Sequence, residues 1–332
     1  MRVLIIGGTR FIGPRVVVSL ARQGHDVTVL HRGQTITDLP AGVTTIKVDR
    51  SEIPALTADF NRSSPDVVLD MICMTEQDAR ETATAFRGIA RRLVVLSSMD
   101  VYRAYGCLKR LESHEPDSAR LDEDSPLRSA LYPYRAESKS ADDMLYNYEK
   151  ILVERRLIEE IDLPVTVLRL PAVYGPGDHR CFEYLKRMLD GQKRILLGRM
   201  QARWRWTRGY VDNVADAIVL SVNDERAAGR TYNVGEVDAL TEADWARAIG
   251  EAAGWDGEIV TVPDEALPEH LRMPFDFRHH LSADTRRIRT ELGYDEQVPR
   301  GEAITRTVEW ERRNPLPQFD PSRFNYEAED AV

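Results

Sequence analysis

The seven residues Gly7-Gly8-Thr9-Arg10-Phe11-Ile12-Gly13 stand between an apolar run, Arg2 to Ile6, and a stretch with apolar residues at helical spacing. Glycines there let the backbone turn tightly and approach a pyrophosphate. The helix N-terminus behind them offers free N–H groups and a favourable dipole. In a strand–turn–helix context the pattern predicts a dinucleotide site. The second strand ends Val29-Leu30-His31-Arg32. NAD-binding units place a carboxylate there for the ribose 2′-hydroxyl, whereas this chain offers an imidazole and a guanidinium. Arg10 and Arg32 are expected to bracket a 2′-phosphate with charge-assisted contacts. NADP is therefore the expected cofactor and NAD the alternative.

Tyr146 and Lys150 form a second pair, four residues apart. On a helix they would share a face. An ammonium there stabilises phenolate and lowers the tyrosine pKa from about 10 toward working pH. The phenol can then exchange a proton with a substrate oxygen while hydride moves at the adjacent carbon, and the lysine can also hold the nicotinamide ribose. Taken alone, the spacing suits an exposed helical pair equally well. The nearby Tyr134-Arg135-Ala136-Glu137-Ser138-Lys139 has its lysine five residues on, not four.

Strand-like runs at Arg2–Ile6, Val27–Leu30, Val43–Val48, Val67–Leu69, Leu93–Leu96 and Val165–Leu170 alternate with helical patterns at Phe11–Gln23, Thr75–Ile89 and Ser140–Glu160. That alternation predicts an α/β fold with a Rossmann-type doubly wound parallel sheet. The expected layout is an NAD(P)-binding domain over residues 1–170 with later segments returning to it. A smaller mixed substrate lobe is expected over 171–313, and a tail over 314–332. Arg103–Ser129 is polar and aperiodic, and reads as a flap or functional loop.

Further pieces follow in order: Val94-Val95-Leu96-Ser97-Ser98-Met99-Asp100-Val101-Tyr102, Tyr146-Asn147-Tyr148-Glu149-Lys150, Leu168-Arg169-Leu170-Pro171-Ala172-Val173-Tyr174-Gly175-Pro176-Gly177-Asp178, Tyr210-Val211-Asp212-Asn213-Val214-Ala215 and Tyr232-Asn233-Val234-Gly235. Together with the glycine turn they resemble the extended and atypical short-chain dehydrogenase/reductases of the NAD-dependent epimerase/dehydratase family. The resemblance runs from Met1 to about Arg312, with Arg10 where the family's middle glycine usually lies. It implies Ser98 as the hydroxyl that orients the substrate oxygen, beside Tyr146 and Lys150. It implies cofactor contacts from Gly7 to Gly13, from His31 and Arg32, and from Asp49 toward the adenine. Arg203, Arg205 and Arg208 compete for the family's substrate-binding arginine, although Arg/Trp alternation also describes a strand with one basic and one aromatic face. Asp78 falls near the position of the family's active-site Asn.

The implied function is hydride transfer at a carbinol or carbonyl carbon, as an oxidoreductase or epimerase, with a sugar nucleotide among the possible small-molecule substrates. The alternative is a cofactor-binding regulatory or RNA-binding protein on the same fold. A dehydratase would want a Thr-Asp-Glu-like cluster, for which Ser98-Met99-Asp100 is one position off. A net charge of −9 gives no general pull toward nucleic acid or anionic membrane. The three cysteines lie far apart without zinc spacing, so no metal site is expected and a reducing compartment is. No apolar run approaches the ~20 residues needed to cross a bilayer. The chain opens on a strand, and a cytoplasmic location follows as an expectation. A homodimer built from the helices Thr75–Ile89 and Ser140–Glu160 completes the reading.

Overall fold

A computed structural model describes residues 1–35 and 38–332. The first apolar run forms β1 (Arg2–Ile6), followed by β2 (Asp26–His31), β3 (Thr44–Lys47), β4 (Val67–Asp70), β5 (Arg92–Ser98) and β6 (Val165–Leu170). Three short strands, β7 (Ala172–Tyr174), β8 (Arg194–Gly198) and β9 (Arg208–Tyr210), precede β10 (Thr231–Asn233), and β11 (Glu258–Val262) comes last. The central sheet has seven strands in the order β10-β6-β5-β4-β1-β2-β3. Its pairings are all parallel. β7 pairs with β9 and β8 with β11 in two small parallel sheets beyond it.

The helices are α1 (Ile12–Arg22), α2 (Thr57–Ser63), α3 (Glu76–Phe86), α4 (Arg103–Leu108), α5 (Lys150–Ile158), α6 (Phe182–Leu189), α7 (Arg199–Arg203), α8 (Val211–Asn223), α9 (Glu242–Ala253), α10 (Arg286–Leu292), α11 (Arg300–Arg313) and α12 (Tyr326–Asp330). Alternate residues of a strand point to opposite faces. Val3 and Ile5 accordingly join α1 and α8 in one core, while Leu4 and Ile6 join α3 and α5 in another. Both faces of the inner sheet are thus covered, which explains why β1, β4, β5 and β6 read as largely apolar runs, while the edge strand β3 is mostly exposed. Among the described residues no helix is long and apolar enough to cross a membrane.

Two expectations are corrected. The helix expected over Ser140–Glu160 begins only at Lys150, because Glu149 caps it by accepting from the Ile151 amide at 2.9 Å. Residues 141–147 are turns. The segment Arg103–Ser129 is not a flap. It opens with α4, and its Leu121 lies in a buried cluster with Val101, Tyr102, Trp204, Leu281 and Ala283. Its apolar residues are too few and too irregular to show a period, yet Ala104, Leu108, Leu121 and Leu127 pack in this cluster with residues distant in sequence. The tail beyond α11 docks on the body: Glu329 in α12 is buried against Arg187 of α6, at 3.0 Å.

Candidate active site

The glycine turn joins β1 to α1. Gly7 and Gly8 adopt φ of +97° and +83°, in the left-handed region that favours glycine. A Cβ on Gly13 would fall 2.3 Å from the carbonyl carbon of Gly8, so the helix begins in direct backbone contact with the turn. Arg10 is not among the positive-φ residues, and a side chain is tolerated where the family usually has glycine. Arg15 ties the turn to its surroundings. It donates to the Phe11 carbonyl at 2.7 Å and the Pro176 carbonyl at 3.0 Å, and it pairs with Asp212 at the start of α8.

A groove of about 780 Å³ opens over this turn. It is lined by the residues from Gly7 to Ile12, by His31 and Arg32 beyond β2, by Asp49, and by the start of α3. Arg10 and Arg32 are both exposed there, with Arg10 Nε donating to Thr35 Oγ1 at 3.0 Å. His31 is turned inward on its own loop, its Nδ1 accepting from the Gly33 amide at 3.1 Å. Asp49 caps the helical turn after it, accepting from the Ser51 amide at 3.0 Å. That hydrogen bond, with a smaller contribution from Arg32, holds its carboxyl below the usual range. The floor is an ion cluster that sequence reading missed. Arg50 grips buried Asp70 through two bonds of 2.8 and 2.7 Å and lies 2.8 Å from Asp78. Asp78 spends its other oxygen on the amides of Met74 and Thr75, both at 2.9 Å, and so acts as a helix cap. The two carboxylates raise the Arg50 pKa against the opposing cost of burial.

Ser98 ends β5, next to the groove and facing a second cavity of about 320 Å³. Beside it Asp100 is 5% exposed. The hydroxyls of Tyr148 and Tyr134 each donate to Asp100 Oδ2 at 2.9 Å, and Tyr105 donates to the Tyr134 oxygen at 2.8 Å. Asp100 Oδ1 is buried with no hydrogen-bond partner among the described residues. Burial pushes the Asp100 carboxyl up, against the opposing pull of Arg128 and the two phenols. Burial first, and then Asp100, hold Tyr148 well above the ordinary phenol value, while a hydrogen bond to Ser98 opposes them. This cluster retains its phenolic protons at neutral pH.

The expected partnership of Tyr146 with Lys150 on one helical face is not formed, because Tyr146 lies outside the helix. Its ring stacks under the Arg135 guanidinium at 4.7 Å, and neither it nor Tyr148 is among the residues lining the two cavities. Tyr148 occupies the place beside Ser98 instead, with the Lys150 ammonium 5.7 Å from its ring centre. Lys150 is buried, and it donates to the carbonyls of Cys73 at 2.6 Å and Leu96 at 2.9 Å. It thereby fixes the ends of β4 and β5 rather than facing the groove. Burial lowers its pKa.

The basic segment separates as its alternation suggested. Arg203 and Arg205 are exposed, whereas Trp204 and Trp206 pack with ring centres 5.3 Å apart. Arg208 is buried and paired with Glu242 at 2.6 Å. None of these three arginines lines the second cavity; Arg180 does. Sequence reading missed Arg180, Tyr134 and Tyr105, and weighed Asp100 only as a misplaced dehydratase acid. The only signals were an acid two residues after Ser98 and a tyrosine in the rejected Tyr134–Lys139 pattern.

A parallel doubly wound sheet with a glycine turn and a Ser/Tyr/Lys cluster at its carboxyl end is the architecture of a nucleotide-dependent dehydrogenase or epimerase. The chain belongs to the NAD dependent epimerase/dehydratase family, whose model matches residues 3–235. It is an NAD(P)-dependent enzyme of the extended short-chain dehydrogenase/reductase type. It is similar to a dTDP-glucose 4,6-dehydratase of Streptomyces niveus, 29% identical over 95% of this chain and 94% of the relative. It is also similar to a 2'-dehydrokanamycin reductase of Streptomyces kanamyceticus, 27% identical over 82% of this chain and 72% of the relative. The solved Bordetella bronchiseptica enzyme WbmG in complex with NAD shares the fold, with TM-score 0.67 and 20% identity over 94% of each chain.

Proposed function

We propose that the protein moves hydride between NADP(H) and a carbinol or carbonyl carbon, with Tyr148 as the proton carrier. The observation that carries this reading is the Ser98–Tyr148–Asp100 cluster at the end of β5, whose Ser98 and Asp100 line the second cavity. The groove suits a dinucleotide because a Cβ at Gly13 would collide with Gly8, and positive φ at Gly7 and Gly8 leaves the turn bare. A bound nicotinamide would supply or accept the hydride. Ser98 orients the substrate oxygen, Tyr148 passes it a proton, and Asp100 with Tyr134 steadies the phenol. Lys150 acts as a positioning residue through the Cys73 and Leu96 carbonyls.

Arg10 and Arg32, both exposed on the groove, support a preference for NADP(H), since the 2′-phosphate is an anion suited to two guanidiniums. The test is calorimetric titration of NADPH and NADH into the wild type and into Arg10→Ala and Arg32→Ala. The expected result is tighter NADPH binding, lost by about tenfold in each variant with little change for NADH. Equal or tighter NADH binding by the wild type would overturn the preference.

A further inference from the structure

The second cavity indicates what kind of molecule meets Ser98 and Asp100, the acid that receives the Tyr148 hydroxyl. A nucleoside-diphosphate sugar is nearly as large as the dinucleotide itself. The aromatic cavity measures about 320 Å³ against about 780 Å³ for the dinucleotide groove. That lies at the small end of the range for ligand pockets. Its walls are rings: Tyr105, Tyr134, Trp204, Trp206, Phe275 and Phe277. Trp204 is fixed by its indole N–H, which donates to the His279 carbonyl at 2.8 Å, and its ring meets Phe277 edge-on at 5.6 Å.

The charges argue in the same direction. A diphosphate calls for converging cations or free helix N–H groups. Arg203 and Arg205 face solvent, and Arg208 is committed to Glu242. Lys109 lines the cavity but donates to the Pro133 carbonyl at 3.1 Å and pairs with Glu137. Arg180 spends its Nε on the Val173 carbonyl at 2.6 Å and on Asp178 at 3.5 Å, and the terminal nitrogens of its exposed side chain can take one anionic group. A cationic substrate fits no better, because cations already occupy the ring faces and the lining carboxylates are engaged, Glu242 by Arg208 and Asp100 by the Tyr134 and Tyr148 hydroxyls. The Lys109 ammonium is 4.6 Å from the Tyr134 centre, and the Arg180 guanidinium is 5.8 Å from that of Trp206.

We infer that the substrate is a compact ring ketone, or the corresponding alcohol, without a nucleotide and with at most one negative charge, seated between these aromatic faces. This rests on the hydride-transfer reading above. In reduction the carbonyl carbon gains the hydride of the reduced cofactor as its new C–H bond. The C=O π pair moves to oxygen, which takes the Tyr148 proton. Ketone, reduced cofactor and one proton thus become alcohol and oxidised cofactor.

The experiment uses the full chain and three probes: 2-tetralone, 4-acetylbenzoate and UDP-glucose. Binding is read by calorimetry on NADP⁺-loaded protein, and turnover by loss of NADPH absorbance. Both ketones should bind and UDP-glucose should give no heat at millimolar concentration. Arg180→Ala should weaken 4-acetylbenzoate about tenfold more than 2-tetralone. Trp206→Ala should weaken both ketones about tenfold, with Trp206→Phe recovering part of the loss and NADP⁺ binding reporting that each variant is folded. Binding of UDP-glucose without the ketones, or of no probe at all, would overturn the inference and leave the hydride reading standing. Ketones that bind without consuming NADPH would support the substrate class and count against hydride transfer at Tyr148.

Discussion

Glu311 in α11 offers a quantitative test of the packing beneath the second cavity. One of its oxygens accepts from the Cys181 amide at 3.0 Å. The other lies 4.0 Å from His179 Nδ1, and both of those atoms are buried without a hydrogen-bond partner among the described residues. Burial, reinforced by Asp178, raises the carboxyl from 4.5 to about 7, against the Cys181 hydrogen bonds. Between those two values the folded chain binds a proton that the unfolded chain has lost, so stability falls as pH rises through that window. The gap, at about 1.4 kcal/mol for each tenfold change in proton affinity, amounts to at most about 3.5 kcal/mol of destabilisation above pH 7. Glu311→Gln removes the titration. The amide keeps an oxygen for the Cys181 N–H and gains an N–H that His179 Nδ1 can accept. Denaturant unfolding should therefore show the variant more stable than wild type by about 2–3 kcal/mol at pH 8 and nearly equal to it at pH 4.5. An equal shift at both pH values, or a variant less stable at pH 8, would refute the assignment of a high carboxyl pKa to this site.

Tyr148→Phe should lower turnover by about 10²–10⁴-fold while cofactor affinity, followed by calorimetry, stays nearly unchanged. Tyr146→Phe should change turnover only a few-fold, and the opposite ranking would return the proton to Tyr146. Gly13→Ala places a methyl carbon 2.3 Å from the Gly8 backbone, so the turn must open. Cofactor binding should be lost and the unfolding midpoint should fall; retention of both would show that the turn is looser than described. We propose a homodimer through α3 and α5. Light scattering at micromolar concentration should give twice the chain mass, and a single-chain mass would count against it.

The glycine turn was legible because backbone geometry leaves little choice of residue: positive φ and a Cβ collision are local facts that sequence records. The inner strands β1, β4, β5 and β6 were legible because both faces of the sheet are buried there, which makes each a largely apolar run, whereas the short outer strands β7 and β8 were not. The tyrosine was not, because it depends on where α5 starts. Tyr146 and Tyr148 stand in the same short stretch, and only the Glu149 cap decides that neither is helical. Asp78 shows the same limit. A carboxylate at that position reads as an active-site variant in sequence, but bonds to two amides and an ion pair with Arg50 make it a helix cap. The aromatic cavity was half legible. Arg/Trp alternation gave its Trp204 and Trp206 wall, but Phe275 and Phe277 arrive from about seventy residues later along the chain.

The displaced tyrosine, the buried acid and the polar segment before them have one physical cause. Glu149 is fully buried, and it could not remain charged there without partners. It receives the Arg128 guanidinium at 3.0 and 3.3 Å, together with the amides of Tyr132 and Ile151. Arg128 comes from the segment whose sequence looked like a flap, and its Nε donates to the backbone carbonyl of Asp100. One ion pair therefore starts α5 at Lys150, seats the segment against the body, and fixes the backbone of the acid that receives Tyr148 and Tyr134. A helix start before Lys150 would carry Glu149 away from Arg128, leaving a buried guanidinium with only the Asp100 and Ala130 carbonyls as partners, and breaking a buried pair costs about 3–5 kcal/mol. That penalty keeps both Tyr146 and Tyr148 outside the helix.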